Sequence, residues 1–437
     1  MRARKYPPAL APSATHAPSY YAATLKESAP ARPLEGPARC DVCVIGGGYA
    51  GAATALHLAR RGVDVLLLEQ SRLGWGASGR NGGQVHVGMR RDQQWLEARV
   101  GADAARRLWA CALEAREHLD WLIASYSIDC DLRHGLLHVD HKPRYTADTR
   151  AHVAHLEREY GYRHIRFVDA AELRTLVGSD AYCSGSYDAR GGHLHALNFA
   201  LGIARAAAGH GARLHEGVEA LSLEARGGGW RVGTARGAVD ARRVVLACNG
   251  YLRGLAPAVE RRVMPINNFI AVTEPLGAER ARGLIANGAA VSDSRFVVNY
   301  FRITPDHRLL FGGGENYGYR FPGDVAAFVR PHVLGVFPQL VDVRFEFAWG
   351  GTLGITPTRM PLVRELAPGL VNASGFSGLG VVMAPYAGKA VADALLGERE
   401  VFELLGSVPV PPFPGGPALR WPTLVAAMTF YALRDRL

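Results

Sequence analysis

Cys40-Asp41-Val42-Cys43-Val44-Ile45-Gly46-Gly47-Gly48-Tyr49-Ala50-Gly51 is the stretch whose reading decides the fold. Its first six residues form a short apolar run, the pattern of a strand covered on both faces. The next six fit G-x-G-x-x-G, in which each glycine has a physical task. Gly46 allows the tight turn, Gly48 leaves no side chain between backbone and pyrophosphate, and Gly51 lets the following helix approach the strand. The spacing predicts that helix over 49–61, its N-terminal N–H groups and positive dipole end facing the phosphates. Gly62 is a natural residue to end it. A second apolar strand over 63–68 closes on Glu69, 18 positions after Gly51, where an acid hydrogen-bonds a ribose diol. A glycine turn alone is weak evidence. Strand, turn, helix and acid in this order predict a dinucleotide-binding βαβ unit.

The chain has 437 residues, enough for two or three domains. Its 48% hydrophobic and 21% charged content describes a soluble globular protein. The net charge is +10, yet only Lys5, Lys26, Lys142 and Lys389 are lysines, and the arginines form no run. That scatter argues against a nucleic-acid stripe. Six cysteines make no disulfide framework. Cys40 and Cys43 have C-x-x-C spacing, but no second pair completes a zinc site, and both fall in the first strand. They are expected to be buried structural thiols in a reduced, cytoplasmic setting. Residues 1–37, rich in Pro and Ala, have no apolar core of a signal peptide and read as a weakly ordered arm. Residues 366–388 carry no charge, but five glycines and two prolines exclude a membrane helix there. Strand, glycine turn and helix fit that segment better.

Leu108, Ala112, Ala115, Leu119, Leu122 and Tyr126 mark one face of a long amphipathic helix. Further helices are predicted over 144–159 and 170–177, and Gly191-Gly192-His193-Leu194-His195 is expected to open another, ending near 209. Strands are predicted over 213–221, 230–234, 238–241 and 244–247, the last running into Cys248-Asn249-Gly250. Strands over 269–273, 297–302, 309–312 and 343–347 predict a mostly antiparallel sheet, with a turn at Pro305-Asp306-His307-Arg308. Gly369 to Ser374, then Gly375-Phe376-Ser377-Gly378-Leu379-Gly380, repeats the strand-turn-helix pattern late in the chain. The expected cofactor domain is discontinuous: 38–90, 193–258 and 347–400. Residues 91–192 and 259–346 form the second domain, and 401–437 a C-terminal extension.

Gly74-Trp75-Gly76-Ala77-Ser78-Gly79-Arg80-Asn81-Gly82-Gly83-Gln84, with the glycine turn and Glu69, resembles the FAD-dependent D-amino-acid oxidase superfamily. The likeness is greatest to its gamma-glutamylputrescine oxidoreductase branch. It includes Ser19-Tyr20-Tyr21-Ala22-Ala23, Gly191 to His195, Arg308-Leu309-Leu310-Phe311-Gly312-Gly313-Gly314, Arg359-Met360-Pro361, Phe413-Pro414-Gly415-Gly416 and Leu433 to Leu437. The resemblance implies an α/β fold: a glutathione-reductase-like Rossmann domain for FAD, interleaved with an antiparallel substrate domain. It implies that Gly46, Gly48 and Gly51 hold the pyrophosphate and Glu69 the adenosine ribose. Ser78, Gly79, Arg80, Asn81, Gly82 and Gly83 would run past the pyrophosphate and along the flavin. Val218 would contact adenine through its backbone, with Gly250 nearby. Gly375, Gly378, Leu379, Gly380 and Val381 would close over the ring system. The implied reaction moves a hydride from the carbon bearing nitrogen to the flavin; the imine then hydrolyses to an aldehyde.

Two positions depart from that pattern. The branch reads Gly-His-Gly where this chain has Gly378-Leu379-Gly380, and leucine can donate no proton. Thr352-Leu353-Gly354-Ile355, before Pro357, offers no arginine for a substrate carboxylate, which points to an amine rather than a simple α-amino acid. Arg302 is the expected anchor for an anionic substrate group, with Tyr300, Trp349, Tyr317 and Tyr319 walling the pocket. His193 and His195 have H-x-H spacing without a third ligand, so no metal is expected and one of them is read as a helix-start or domain-contact residue. Small-molecule amine and either oxygen or an electron carrier are the expected partners, with no nucleic acid and no integral membrane segment. Three rivals stay open: an amino-acid dehydrogenase delivering electrons to a quinone, a flavin protein that has lost turnover, and an NAD-dependent dehydrogenase. The last leaves 78–83 and the late glycine turn unexplained.

Overall fold

A computed structural model describes residues 11–316 and 320–415. Its first sheet has eight strands. Ala38–Ile45 pairs in parallel with Val65–Leu68 on one side and Gly237–Leu246 on the other. Arg213–His215 and Leu370–Ser374 extend the parallel core outward. The reason the first strand ends in the apolar run Val42 to Ile45 is visible in its two faces. Val42 and Val44 point toward a helical layer that includes Ala52, Ala53 and Leu56, whereas Cys43 and Ile45 join Val218, Val232 and Val239 on the other side. Cys40 and Cys43 are both buried, as their place in that strand requires.

Helices Tyr49–Ala59, Ala196–Gly209 and Gly380–Leu395 cover the first face. The first and last of these touch so closely that a Cβ at Gly388 would lie 2.4 Å from the Ala50 carbonyl oxygen. This contact brings the early and late glycine turns to the same end of the sheet. The long helix is Ala102–Ser125, and Leu108, Ala112, Ala115, Leu119 and Leu122 are its buried stripe.

The second sheet has nine strands, antiparallel except where Ala290–Asp293 runs parallel to Arg133–Asp140. Phe269, Phe301 and Phe311, all fully buried, form its core with Val329 and Val333 of the helix Val325–Val336. Burying each such ring contributes about 1.5–3 kcal/mol. The expected strand 343–347 is longer, Phe345–Ile355, and pairs along Met264–Thr273.

Three elements differ from expectation. Gly191 to His193 end a strand, Ser184–His193, rather than opening a helix. The helix starts after them, and His195 caps it by accepting the Asn198 N–H at 3.1 Å. The strand Arg133–Asp140 has no counterpart in the sequence reading, because its burial pattern is not a clean alternation. The expected strand 213–221 is two strands, broken at Gly217, where φ is +66°.

Residues 11–37, read from composition as an arm, lie against the body. Ser19 caps the short helix Tyr20–Ala23, and the Tyr20 hydroxyl donates to Asp306 at 2.8 Å. Tyr21 is fully buried, edge-on to His195 and Trp349. Two aromatic rings supply the apolar surface that the Pro- and Ala-rich flanks lack. Residues 366–388 divide into strand, turn and helix, and no helix among the described residues is long and apolar enough to cross a membrane. Residues 416–437, including Leu433 to Leu437, lie outside the described residues.

Candidate functional site

The two glycine turns, distant in sequence, line one cavity of about 1190 Å³, its open mouth included. Gly46 and Gly48 form one wall, and Gly378, Gly380 and Val381 another. Gly46 has φ +112°, and a Cβ there would lie 2.6 Å from the Ala247 carbonyl oxygen. A Cβ at Gly51 would sit 1.9 Å from the Gly46 carbonyl oxygen, so this turn closes only on glycine. The helix Tyr49–Ala59 begins at the cavity, with Gly48 as its N-cap.

Glu69 and Val218 stand side by side in the wall; the Val218 N–H donates to the Glu69 carbonyl at 2.9 Å. The Glu69 carboxylate accepts the N–H groups of Gly47 and Ser71, each at 2.8 Å. Burial nevertheless pushes its pKa up to about 7. Each carboxylate oxygen keeps a lone pair for a further donor, which suits a ribose diol.

The 78–83 loop is held rigid by its own polar groups. The Ser78 hydroxyl accepts the Tyr49 N–H at 2.9 Å, docking the loop on the glycine turn. The Asn81 amide donates to the carbonyls of Ala77 and Ser78 at 2.9 Å and accepts the Gly83 N–H at 2.7 Å. Arg80 lies over the Trp75 ring and donates to the carbonyls of Trp75 and Gly350 at 2.7 and 3.0 Å. Ser78 and Asn81 line the cavity; Gly79 and Gly83 pack behind it, against Gly74 and Leu194.

A second cavity adjoins the first, and Ala77, Asn81, Leu353, Ser377, Gly378 and Val381 line both. Of the expected residues, Arg80, Gly82, Tyr300 and Leu379 reach it. The sequence reading missed His86, His138, Arg90, Arg359, Phe296 and Asp293, which converge here from separate segments. Asp293 accepts the Asn299 N–H at 3.0 Å and pairs with the Arg295 guanidinium; burial pushes its pKa up. Burial also pushes the His86 imidazole down to about 3, and it lowers His138 as well. Both are neutral at pH 7. His138 keeps accessible surface and lines the cavity.

Arg302 and Trp349 stand elsewhere than expected. Arg302 is 2% exposed, lines neither cavity, and donates to the carbonyls of Gly82 at 3.1 Å and Leu194 at 3.3 Å. The Trp349 indole N–H donates to the Arg80 carbonyl at 3.0 Å. Both fasten the loop 78–83 from behind, and neither reaches a space where substrate could lie. Tyr317 and Tyr319 lie outside the described residues. His193 and His195 go to structural partners: His193 Nε2 meets the Gly288 carbonyl at 3.1 Å, and His195 caps its helix.

Gly250 touches neither cavity, but its neighbour Asn249 lines the first. Asn249 has φ +47°, and its side-chain oxygen accepts the Gly375 N–H at 2.9 Å, tying the strand end after 237–246 to the late glycine turn. Asn before Gly after a buried strand is a readable sign of a left-handed turn residue. Asn249→Ala removes the acceptor and leaves a strained φ, at an expected cost of about 1–3 kcal/mol. The check is a lower melting temperature together with a lower flavin-to-protein ratio.

Two glycine turns thus bound one cavity, and a second cavity opens beside it. The family model described as FAD dependent oxidoreductase matches residues 41–394. The chain belongs to this family, and it is an FAD-dependent oxidoreductase. It is 41% identical to the probable oxidoreductase OrdL of Rhizobium meliloti, covering 96% of this chain and 97% of that one. It is 40% identical to gamma-glutamylputrescine oxidoreductase of Escherichia coli, covering 97% and 99%. Among solved structures it resembles glycine oxidase from Geobacillus kaustophilus, with TM-score 0.69, 23% identity, and coverage of 82% and 94%. That likeness shows the same fold.

Proposed function

We propose that this enzyme oxidises the C–N bond of an aliphatic amine, with a gamma-glutamylated polyamine as its substrate. The observation that carries the reading is the pair of adjoining cavities: one bounded by both glycine turns, the other by Leu379, Tyr300 and Asp293. The near full-length likeness to gamma-glutamylputrescine oxidoreductase supports the substrate class.

Gly46, Gly48 and the end of the helix Tyr49–Ala59 would hold the pyrophosphate, Glu69 the ribose diol, and Val218 would flank adenine. Ser78 to Gly82 on one side and Gly375 to Val381 on the other would enclose the ring system. FAD, when bound, accepts a hydride from the carbon bearing nitrogen. The protein must hold that carbon close, keep water out and accommodate a deprotonated amine. Leu379 contributes an apolar wall, not a proton. Neutral His86 and His138 add no positive charge to oppose an amine. The second cavity offers the Tyr300 ring to a cationic chain on its way in, while Asp293 is already paired with Arg295. Oxygen or an electron carrier then takes the electrons.

The test is anaerobic mixing of the FAD-loaded enzyme with gamma-glutamylputrescine, putrescine, glycine and D-alanine, followed by flavin absorbance. Gamma-glutamylputrescine is expected to bleach the flavin at least 100-fold faster than either amino acid. Bleaching by the amino acids alone would overturn the reading. Peroxide release in air then separates oxygen from a carrier as the acceptor.

A further inference from the structure

Beyond the cavity walled by Leu379 and Tyr300 lies another chamber, and Val87, Met89, Arg90 and His138 line both. Asp140 and Asp188 line its far side and are 1% and 7% exposed. Asp140 accepts the hydroxyls of Thr149 at 2.9 Å and Ser184 at 2.7 Å. Asp188 accepts the Tyr162 hydroxyl at 2.8 Å and the Arg190 N–H at 2.9 Å. All these donors are neutral. Among the described residues neither carboxylate has an ion-pair partner, a costly state for a buried charge. Burial raises the Asp188 pKa accordingly.

A second, independent observation points to a ligand. Trp109 lines the same chamber and is 7% exposed, yet its indole N–H has no hydrogen-bond partner. Gln93, also in the wall and 1% exposed, leaves its amide oxygen unpartnered. Unsatisfied buried polar atoms are rare in native proteins and require a reason. The chamber also has Arg90 and Arg91 in its wall. It thus combines two carboxylates without ion-pair partners among the described residues, on one part of its wall, with a spare donor and two guanidinium groups on another, the complement of a zwitterion.

We propose that this chamber binds the far end of the amine substrate: an α-amino-acid head, its ammonium toward Asp140 and Asp188 and its carboxylate toward Trp109 and Arg91. The carbon to be oxidised then lies in the neighbouring cavity, and the enzyme selects long bipolar amines over short monoamines. The identity of the ligand rests on the amine-oxidation reading; the built character of the chamber does not.

The test is calorimetric titration of the FAD-loaded enzyme with gamma-glutamyl-butylamide, which carries the head without the distal amine, and with butylamine. Asp188→Asn and Trp109→Phe are expected to weaken binding of the first at least tenfold, leaving butylamine affinity and flavin content unchanged. Trp109→Phe removes the unsatisfied N–H together with part of the indole that packs on Tyr160 and Tyr162, so its melting temperature is read beside its affinity; with that temperature held, it decides the matter should Asp188→Asn not fold. Unchanged affinity for the head, or equal losses for both compounds, overturns the proposal. If no amine bleaches the flavin while the head still binds and the variants lose it, the oxidation reading fails and the chamber stands. If gamma-glutamylputrescine is oxidised with the same KM by wild type and variants, the chamber fails and the oxidation reading stands.

Discussion

Gly51→Val is expected to yield a protein that purifies without flavin. A Cβ at position 51 would lie 1.9 Å from the Gly46 carbonyl oxygen and 3.3 Å from the Ala247 side chain. The first of these is backbone, so no rotamer change relieves it. The helix Tyr49–Ala59 must then move off the strand Ala38–Ile45, carrying its N-terminus out of the cavity wall. Overpacking of this kind costs about 1–3 kcal/mol even where side chains can yield. A hundredfold weakening of FAD corresponds to roughly 2.7 kcal/mol, within that range. The measurement is the ratio of flavin to protein absorbance after dialysis, with Gly209→Ala as control. A Cβ at Gly209 meets nothing within 4 Å, so that variant should keep its full complement of flavin. Gly51→Val that retained stoichiometric FAD would show that the turn does not position the cofactor.

The cofactor half of the site was legible in the sequence because each part of it is local. Glycine turn, helix and Glu69 are consecutive, and the short, largely apolar strand buried on both faces is marked by its length and by the glycines that follow it at once. The late turn, Gly375 to Gly380, was legible for the same reason. The substrate half was not. His86 and Arg90, His138, Asp293 and Arg359 come from four separate stretches, and only the pairing of Arg133–Asp140 with Ala290–Asp293 sets His138 beside Ser292 in one cavity wall. Single-chain patterns say nothing about which strands become neighbours. Arg302 illustrates the opposite error. An arginine on the strand before the Pro305 turn reads as an anchor for an anionic group, yet its guanidinium donates to the Gly82 carbonyl of the 78–83 loop. Tyr21 and Trp349 belong to the same support, which gives the motif Ser19 to Ala23 a structural role where no chemistry was evident.

Glu69 makes the apoprotein less stable as pH rises, and removing its charge should reverse that trend. Its pKa lies near 7 in the folded chain against an ordinary value of 4.5, burial being the largest cause. Below about pH 4.5 the group is protonated whether the chain is folded or not, and it costs nothing. Between the two values the unfolded chain releases the proton and the native one keeps it, so stability falls as pH rises. Above pH 7 the whole cost applies, about 3 kcal/mol by linkage. Glu69→Gln cannot titrate. It still accepts one of the two N–H groups of Gly47 and Ser71, and turns an amide toward the other at a cost of about 1 kcal/mol. Difference curves of melting temperature, variant against wild type in the flavin-free state, are expected to cross. The variant is the less stable at pH 5 and the more stable at pH 8. Ribose hydroxyls donate to the carboxylate and favour its charged form, so FAD should bind wild type at least tenfold more tightly at pH 7.5 than at pH 5.5 and the variant equally at both. Parallel melting curves from pH 5 to 8 would mean that this carboxylate is ionised throughout, and that water in the cavity, not the protein, sets its charge.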